Sequence, residues 1–530
     1  MRNRILLAAG LLAMFASVPS HAARPNPSLP NHADHPAAGK PLRDLLRAIE
    51  TPSGVRFRVA SEVAGDPIQM PAVATTAWPD IIRGLLRGYN YAATWTPAGK
   101  LAEVNVTGRN GDGTAPAAAA PATADLFAYQ PPAKAVPAQY RGYAAGSVYP
   151  IRVPAERLRK MDKGERISAS LPDGRYQLVH DNAWKHDNGD LTWVGYLDGP
   201  QGRYRALLTV GDGALAGQIL TPGGLYKLES DATGEWLVDI DASGLRRGSL
   251  EGDEGNPASL VLGGVGLASA AAASESRMTD SPGATQPTGA ASIQNGKATI
   301  DLLLLYTSGM ATPKVSTRLN HLVALVNQAL VDSQVNAVFR LVAARPISYP
   351  DRGGNSAALD DLTQSNKGLR GVPSLRAKKG ADVVILVRPF KPNSQGGNCG
   401  IAWVNGSENT ELMADQGFGV IGYGSANGYY CSDYTLAHEI GHVMGATHDR
   451  PHASVQGKFP FSYGYGIANR FGDIMSYYDP EVGVYSNPDL RLCDGSPCGI
   501  PPGNPSAADV ALTFNKTAAT VSRFTKSVTP

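Results

Sequence analysis

The twelve residues HEIGHVMGATHD, 438–449, combine side chains that bind metals with one that can move protons. His438 and His442 are four residues apart, so on a helix their imidazoles lie on the same face, one turn apart. Two imidazoles at this spacing can hold one Zn²⁺ at ~2.0–2.1 Å each. Gly445 tolerates the left-handed backbone that ends a helix, and that turn returns His448 to the same ion. Three neutral histidines leave a fourth position open, as in catalytic zinc sites.

Glu439 adjoins the first histidine and is not needed as a ligand. Zn²⁺ lowers the pKa of water toward ~7, and Glu439 is placed as the general base that takes the released proton. The same ion polarises a carbonyl group. A zinc ion together with Glu439 as general base therefore predicts hydrolysis of peptide bonds without a covalent intermediate. The pattern HExxHxxGxxH fixes five positions in eleven residues, which makes it more specific than HExxH alone.

The histidine motif lies in a region of alternating strand and helix patterns, residues 298–526. The motif itself predicts a helix over 434–444, because its apolar residues recur at helical spacing. This alternation indicates an α/β sandwich with a twisted sheet beside the active-site helix. The other patterns are strands at 300–306, 338–343, 382–387, 399–404 and 417–422 and a long helix at 315–330.

The sequence resembles the metzincin zinc peptidases, whose second hallmark is a tight turn containing Met downstream of the third histidine. Residues 473–477 read DIMSY, and the resemblance implies that Met475 forms an apolar floor beneath the zinc ligands. His448 followed by Asp449 resembles the reprolysin or adamalysin branch, which implies that Asp449 supports the fold. Tyr477 departs from that branch and resembles the astacins and serralysins, where this Tyr stabilises the oxyanion; simple packing is the alternative.

The phrases CGIAWVNG, CSDYTLAHEIGHVMGATHD and RLCDGSPCG resemble bacterial reprolysin-like peptidases, including the peptidyl-Asp metalloendopeptidases. The resemblance implies that 399–404 is an edge strand that binds an extended peptide through its backbone. It also places the S1′ wall at 478–489. A preference for acidic residues after the cut would require a cation there, and this wall has none between Tyr478 and Asp489. Arg470 and Arg491 lie outside the wall and remain candidates.

The chain of 530 residues, with a formal net charge of +2, is too long for one core and is divided by two low-complexity segments. Residues 111–137 are rich in Ala and Pro, and 263–297 are rich in Ala, Ser, Gly and Thr; both compositions predict linkers. The folded units predicted are 38–110, 138–262 and 298–526. The sequence contains no long basic run, so it gives no reason to expect a nucleic-acid partner.

The first unit, 38–110, alternates helix and strand patterns and predicts a small α+β domain. The phrases LRDLLRAIETPSGVRFRVASEV and IIRGLLRGYNYAATW resemble the short N-terminal domain of secretins and TonB-dependent receptors, which implies partner binding; a folding module of the precursor is the alternative. The second unit, 138–262, predicts an all-β fold from its short alternating strands. His180 and His186 lie near acidic residues there, but their surroundings favour a hydrated loop over a metal site.

The N-terminal sequence predicts that the protein is exported. Arg2 and Arg4 precede a short apolar run and the small residues up to Ala22, which is typical of a signal peptide over 1–22. No segment reaches the ~20 apolar residues of a membrane-spanning helix. The four cysteines then favour two disulfides. We pair Cys493 with Cys498 across a short turn, and Cys399 with Cys431.

An exported protease must be held inactive before release, so the β-rich second unit is interpreted as a pro-region that inhibits the cleft in cis. No cysteine precedes Cys399, which excludes a pro-region thiolate on the metal. A carboxylate, or a strand laid backwards through the cleft, are the two alternatives. Arg277-Met278 marks a predicted cutting zone, so the mature enzyme would begin near 280–298.

The sequence therefore predicts a secreted zinc endopeptidase made as a precursor and acting on proteins or peptides. The alternative from another class is a catalytically silent zinc-binding adhesion or partner-binding protein. An amidase that acts on non-protein substrates is a third. Scattered Asp and Glu would permit structural Ca²⁺, but no EF-hand spacing supports it.

Overall fold

The structure is a computed structural model. It describes residues 40–68, 78–86, 89–95, 101–109, 125–129, 136–198, 204–249, 252–255, 293–294, 296–310, 314–392 and 397–528. The predicted signal peptide, most of both linkers and the cutting zone at Arg277-Met278 lie outside these residues.

The N-terminal unit joins two helices to short strands. The apolar residues of its first helix recur every three or four positions and are buried, and Gly54 (φ 71°) ends that helix by donating its N–H to the carbonyl of Glu50. Three strands form a sheet in the order β2-β5-β4. The elements are β1 Lys40–Pro41, α1 Leu42–Ser53, β2 Arg56–Val59, β3 Pro67–Ile68, α2 Trp78–Leu85, β4 Tyr89–Trp95 and β5 Leu101–Arg109.

The second unit is a curled antiparallel sheet of nine strands in the order β6-β7-β14-β13-β12-β11-β10-β9-β8. A bridge between Asp125 and Ser168 joins its two ends, with Leu126 N–H donating to Ser168 O at 2.6 Å. Alternate residues, including Trp193, fill its interior. The elements are β6 Ala128–Tyr129, β7 Val148–Arg152, α3 Ala155–Lys160, β8 Arg166–Leu171, β9 Gly174–Lys185, β10 Leu191–Leu197, β11 Arg205–Gly211, β12 Ala214–Thr221, β13 Gly224–Ser230 and β14 Glu235–Asp239.

The third unit is a mixed sheet between helices, as the alternating patterns predict. Strands β19, β18, β20 and β22 run parallel, and β21 pairs antiparallel with β22 near one edge. Its strands include β17 Ile293–Gln294, β18 Lys297–Tyr306, β19 Ala337–Pro346, β20 Val383–Pro389, β21 Gly400–Trp403, β22 Phe418–Tyr423, β23 Ser425–Ala426, β24 Tyr429–Tyr430, β25 Gly466–Ile467 and β26 Phe471–Gly472. Its helices are α4 Val315–Asp332, α5 Asn355–Thr363, α6 Val372–Lys379, α7 Thr435–Val443 and α8 Val510–Val521.

Two further strands come from the end of the second unit and pair with the third. The first, β15 (Arg246–Arg247), lies parallel to β24, and the second, β16 (Glu254–Gly255), lies parallel to β21. Both predicted disulfides are present, Cys399–Cys431 and Cys493–Cys498. The former anchors β21 next to the segment that leads into α7.

The curled sheet packs directly on α4 of the third unit. Val194 and Leu207 of the sheet belong to the main hydrophobic core of the third unit. Two ion pairs cross the contact: Arg205 Nε lies 2.8 Å from the carboxylate of Asp332, and Lys227 Nζ lies 2.7 Å from that of Asp433. Asp433 is buried, so removing either partner would leave a charge without compensation.

His321, in α4, gives this contact a pH dependence. Its pKa is lowered to about 4, first by burial and then by the charges of Lys227 and His186, against the attraction of Asp433. The unfolded chain takes up the proton near pH 6.5 but the folded chain only near pH 4, so protonation favours unfolding in this window. Relative to His321→Gln, wild type is expected to lose about 3 kcal/mol of unfolding free energy from about pH 7 to about pH 4. Urea titrations of both proteins at these two pH values measure the difference; an equal gap at both would contradict it.

Candidate metal centre

The histidine motif forms α7 and the turn that follows it. All nine residues of α7 are buried, so both of its histidines lie in the interior of the protein. Gly445 has φ 94° and donates its N–H to His442 O, and Ala446 N–H donates to Gly441 O. This left-handed turn reverses the chain, so His448 returns to the side of the helix that carries His438.

The three imidazoles converge. His438 Nε2 and His448 Nε2 are 3.2 Å apart. His438 Nδ1 lies 2.6 Å from the carbonyl of Ile474, and His442 Nδ1 lies 3.1 Å from that of Ala446. These carbonyls accept hydrogen bonds from Nδ1–H, which leaves the lone pair of each Nε2 aimed at the centre.

The donor set fits a metal ion. His442 Nε2 is buried and has no hydrogen-bond partner, an arrangement that costs free energy unless an ion completes it. One ligand atom from each of Asp253, His438, His442 and His448 lies within 4.8 Å of the others. Nitrogen and carboxylate ligands in a set of four match what Zn²⁺ takes. In the described ranges no other such group occurs.

Glu439 lies beside the metal-binding group. Both of its carboxylate oxygens are buried without hydrogen-bond partners. Burial, and then the nearby charge of Asp253, raise the pKa of Glu439 well above its usual value. A Cβ at position 400 would collide with this carboxylate, so Gly400 on β21 makes the space in which Glu439 faces the cleft.

Met475 lies in a tight turn below α7. Ser476 N–H donates to Asp473 O at 3.0 Å, and the Asp473 carboxylate accepts from Met475 N–H at 3.0 Å. The Met475 thioether packs against Gly441, where a Cβ would collide with its sulfur. The structure therefore places Met475, fully buried, directly under the helix that carries the first two histidines.

Asp449 connects the turn after the third histidine to the segment after Met475. Its Oδ1 accepts from Tyr477 N–H at 2.9 Å, and its Oδ2 lies 2.7 Å from His452 Nδ1. The ring of Tyr477 lies 4.5 Å from that of His448, and its hydroxyl donates to Asp253 Oδ1 at 3.3 Å. Burial, and then the carboxylate of Asp253, raise the pKa of Tyr477.

Asp253, which the sequence did not single out, reaches the centre from the second unit. Its Oδ2 lies 3.2 Å from His438 Nε2, and its Oδ1 lies 2.8 Å from His448 Nε2 and 3.9 Å from His442 Nε2. The side chain is fully buried. Burial alone would raise the pKa of Asp253, but His448 and His438 lower it far below its usual range. No motif in the sequence marks this residue.

Asp253 belongs to a stretch that we call the cleft segment, residues 246–249 and 252–255. Its backbone runs beside β21 in the parallel sense. Asp253 O accepts from Ala402 N–H at 3.2 Å, Gly255 O accepts from Val404 N–H at 3.1 Å, and Ser249 O accepts from Cys399 N–H at 3.0 Å. The cleft segment thus occupies the edge that the sequence predicts as a peptide-binding strand.

The other polar candidates lie elsewhere. His180 stacks on Trp193, and His186 Nε2 contacts the hydroxyl of Thr192. Arg470 pairs with Asp494 at 3.2 Å. Arg491 donates to the carbonyls of Pro488 and Leu490. The cations suggested for an acidic S1′ pocket are therefore engaged in the loop around the Cys493–Cys498 disulfide.

Two regions of the chain match known families. Residues 303–502 match the metallo-peptidase family M12B, reprolysin-like, and residues 128–242 match the BamI lipocalin-like domain. The three histidines, Glu439 and β21 lie within the first match, the curled sheet lies within the second, and Asp253 lies in neither. The chain is therefore a multi-domain protein with a lipocalin-like domain and a metallopeptidase domain, and it is a zinc metalloendopeptidase by class.

Curated relatives carry the same activity in their names. A peptidyl-Asp metalloendopeptidase of Xanthomonas campestris pv. campestris is 27% identical over 360 residues, 64% of this chain and 76% of the relative. One of Stenotrophomonas maltophilia is 25% identical over 390 residues, 68% of this chain and 83% of the relative. The chain is similar to these bacterial enzymes, and its residues 303–502 match the reprolysin-like metallopeptidases.

Solved structures share less with the chain. Metalloproteinase-II from Bacteroides fragilis aligns with a TM-score of 0.39 at 14% identity, covering 65% of this chain and 95% of that one. A chaperone-substrate complex aligns with a TM-score of 0.34 at 16% identity, covering 68% of this chain and 43% of that one. Among the described residues, no helix is both long and apolar enough to cross a membrane.

Proposed function

We propose that the protein is a secreted zinc-dependent endopeptidase made as an inactive precursor, with His438, His442 and His448 as metal ligands. The observation that carries the proposal is the convergence of these three imidazoles with the Asp253 carboxylate, which lies 2.8 Å from His448 Nε2. Three histidines from the catalytic domain would hold the ion and leave one position, and in the precursor the Asp253 carboxylate of the preceding unit lies where it would fill that position.

Zn²⁺ bound by the three histidines would polarise a peptide carbonyl and make water acidic near neutral pH. Glu439 is the general base: its buried carboxylate, with a raised pKa, is suited to hold a proton and return it to the leaving amine. Tyr477 lies beside His448 and, once Asp253 has left, its hydroxyl can donate to a developing oxyanion.

Gly445, Met475 and Asp449 act as positioning residues in this proposal. Gly445 turns the chain so that the third histidine reaches the metal. Met475 fills the space beneath α7, and Asp449 fixes the backbone of Tyr477. A substrate strand pairs with β21, whose backbone groups accept many sequences.

In this proposal the cleft segment keeps the precursor inactive. It does so with a carboxylate and with a strand in the cleft, the two alternatives that the sequence left open. Its backbone runs parallel to β21 and covers it. Its Asp253 carboxylate occupies the place beside the histidines that the attacking water would need. Cleavage in the linker over 263–297, with the lipocalin-like domain as the intramolecular inhibitor, would release both contacts. Export through the predicted signal peptide belongs to the same proposal.

The alternative, a catalytically silent zinc-binding or adhesion protein, lacks a supporting observation. A silent site has no need for a buried, unpaired carboxylate at Glu439, which costs free energy to maintain. The N-terminal α+β unit keeps its proposed role as a partner-binding or folding module.

Metal removal tests the proposed activity. The processed protein is expected to digest an unfolded protein substrate, to lose this activity after treatment with a strong chelator, and to regain it with one equivalent of Zn²⁺. Mass spectrometry of the native protein measures the stoichiometry in parallel. Digestion that persists in fully metal-free protein would overturn the proposal, and a zinc-loaded, processed protein without digestion would favour the silent alternative.

A further inference from the structure

We propose that Asp479 and Glu481 form a subsite for a basic side chain, arginine above all, which Arg247 of the cleft segment fills in the precursor and a basic residue of the substrate fills in the mature enzyme. The proposal rests on the proposed endopeptidase function and names a class of substrate for that site.

Arg247 is held by two carboxylates of the catalytic domain. Its Nη1 lies 3.1 Å from Asp479 Oδ1, and its Nη2 lies 2.6 Å from Glu481 Oε1. Only 13% of the side chain of Arg247, and 13% of that of Glu481, is exposed, so their contact is largely shielded from water. Burial alone would lower the pKa of Arg247, but the charges of Glu481 and Asp479 raise it above its usual value. The rigid fork of a guanidinium can donate to two acceptors at once, as this pair requires.

The subsite belongs to the catalytic domain, so it remains when the cleft segment leaves. The Ser432 hydroxyl donates to Glu481 Oε2, and the N–H of the next residue, Val482, donates to Gly472 O at 2.8 Å. These contacts hold the Glu481 carboxylate without help from Arg247. Once Arg247 is gone, two neighbouring carboxylates lose the cation that they share, and a largely buried charge without a partner costs free energy. A basic side chain of the substrate would restore the compensation.

The wall around the subsite favours a cation throughout. Residues 478–489 contain three carboxylates and neither Lys nor Arg. Beside the subsite, the guanidinium of Arg246 lies over the ring of Tyr429, 4.4 Å from its centroid, an arrangement that adds a cation–π attraction. The precursor thus places two consecutive arginines against this wall, and its negative charge attracts basic side chains and repels acidic ones.

The direction of the cleft segment indicates which part of a substrate reaches the subsite. Arg247 pairs with Tyr430, and Glu254 pairs with Ala402, both in the parallel sense. Arg247 precedes Asp253 by six residues, which an extended chain spans in at most about 20 Å. A substrate that runs antiparallel to β21, opposite to the cleft segment, brings the residues after the cut toward the place of Arg247. We therefore expect the basic preference within about six residues after the cut.

The first test is a peptide-library digest with the processed protein, followed by matched peptides with Arg or citrulline at the enriched position. Citrulline keeps the shape of the arginine side chain but carries no charge. Wild type is expected to cleave the Arg peptide with about ten-fold higher kcat/KM, mainly through a lower KM, because charged hydrogen bonds form away from the reacting bond. Equal kcat/KM values for the two peptides would overturn the subsite and leave Arg247 as an anchor of the precursor only. No cleavage of any peptide would instead remove the proposed function.

Two variants and a control locate the effect. Asp479→Asn, which changes a carboxylate that is 63% exposed, and Glu481→Gln should each bring the ratio between the two peptides toward one. Glu411→Gln removes an exposed carboxylate of the same domain and should preserve the wild-type ratio. A wild-type ratio in the double variant Asp479→Asn/Glu481→Gln would show that other groups recognise the arginine, and would overturn the assignment.

A second readout does not depend on activity. Arg247→Ala in the full-length precursor empties the subsite, and ethylguanidinium, which has the same charged head group, is expected to fill it again. At about ten times its dissociation constant it should raise the Tm of Arg247→Ala by about 2 °C. Ethylurea, its neutral counterpart, should have no such effect, and neither compound should stabilise wild type, whose subsite is filled. Equal effects of the two compounds on Arg247→Ala would overturn the subsite even if the protein digests peptides; the peptide test, which uses wild type, decides if this variant does not fold.

Discussion

Glu439→Ala is expected to hold the precursor at its full mass while wild type converts itself to a shorter, active form. The Glu439 carboxylate is buried in the cleft and has no hydrogen-bond partner in the described structure, so its removal takes away a proton acceptor without breaking a contact that supports the fold. Positioned general bases contribute ~10²–10⁴-fold to rate. Intact mass against time, together with digestion of an unfolded substrate, measures both consequences.

The control for this variant is Glu411→Ala, which removes an exposed carboxylate of the same domain and should process like wild type. Zinc content separates the general-base role from a ligand role, because Glu439→Ala should bind one equivalent of metal as tightly as before. Processing of Glu439→Ala at the wild-type rate, in the absence of other proteases, would refute the assignment.

The convergence of the three histidines could be predicted from the sequence because its determinants are local. Helical spacing places His438 above His442, and a glycine that accepts φ 94° returns His448 within six residues. The long apolar run that became β18 and the alternating strands of the curled sheet are equally local signals. Lipocalin-like closure was not predicted, since it depends on one bridge between Asp125 and Ser168, at the two ends of the sheet.

Asp253 could not be found from the sequence for a physical reason. It lies 185 positions before His438 in the chain, and its approach depends on backbone hydrogen bonds to β21, which leave no side-chain pattern. The sequence left two alternatives for latency, a carboxylate or a strand laid backwards through the cleft, and the cleft segment carries both a carboxylate near the histidines and a strand paired with β21.

The contact between the lipocalin-like domain and α4 also could not be predicted from the sequence. Arg205 and Lys227 lie on alternating strands, where charged residues usually face water. Their partners lie far along the chain: Asp332 is the last residue of α4, and Asp433 precedes α7. A single sequence shows each charge but not its pairing, so the interface that positions the cleft segment could be recognised only in three dimensions.

Asp253→Ala is expected to produce a precursor that is active before it is cut. The Asp253 carboxylate is the group of the cleft segment that faces the Nε2 atoms of all three histidines, so without it water can reach these atoms. The backbone hydrogen bonds to β21 remain, but each contributes only ~0.5–1.5 kcal/mol, and a substrate strand can compete for them. Digestion by the uncut variant should exceed that of uncut wild type by at least about ten-fold, the effect of about 1.4 kcal/mol.

Three comparison proteins make this result decisive. Asp212→Ala removes an exposed carboxylate from a turn of the lipocalin-like domain and should remain latent. The double variant Asp253→Ala/Glu439→Ala should be inactive and keep its full mass, which shows that the released activity is the protein's own. Asp253→Asn, which keeps the shape but weakens the attraction to the metal, should fall between wild type and Asp253→Ala. If Asp253→Ala stays as latent as Asp212→Ala, then the backbone of the cleft segment alone blocks the site, and the carboxylate has no inhibitory role.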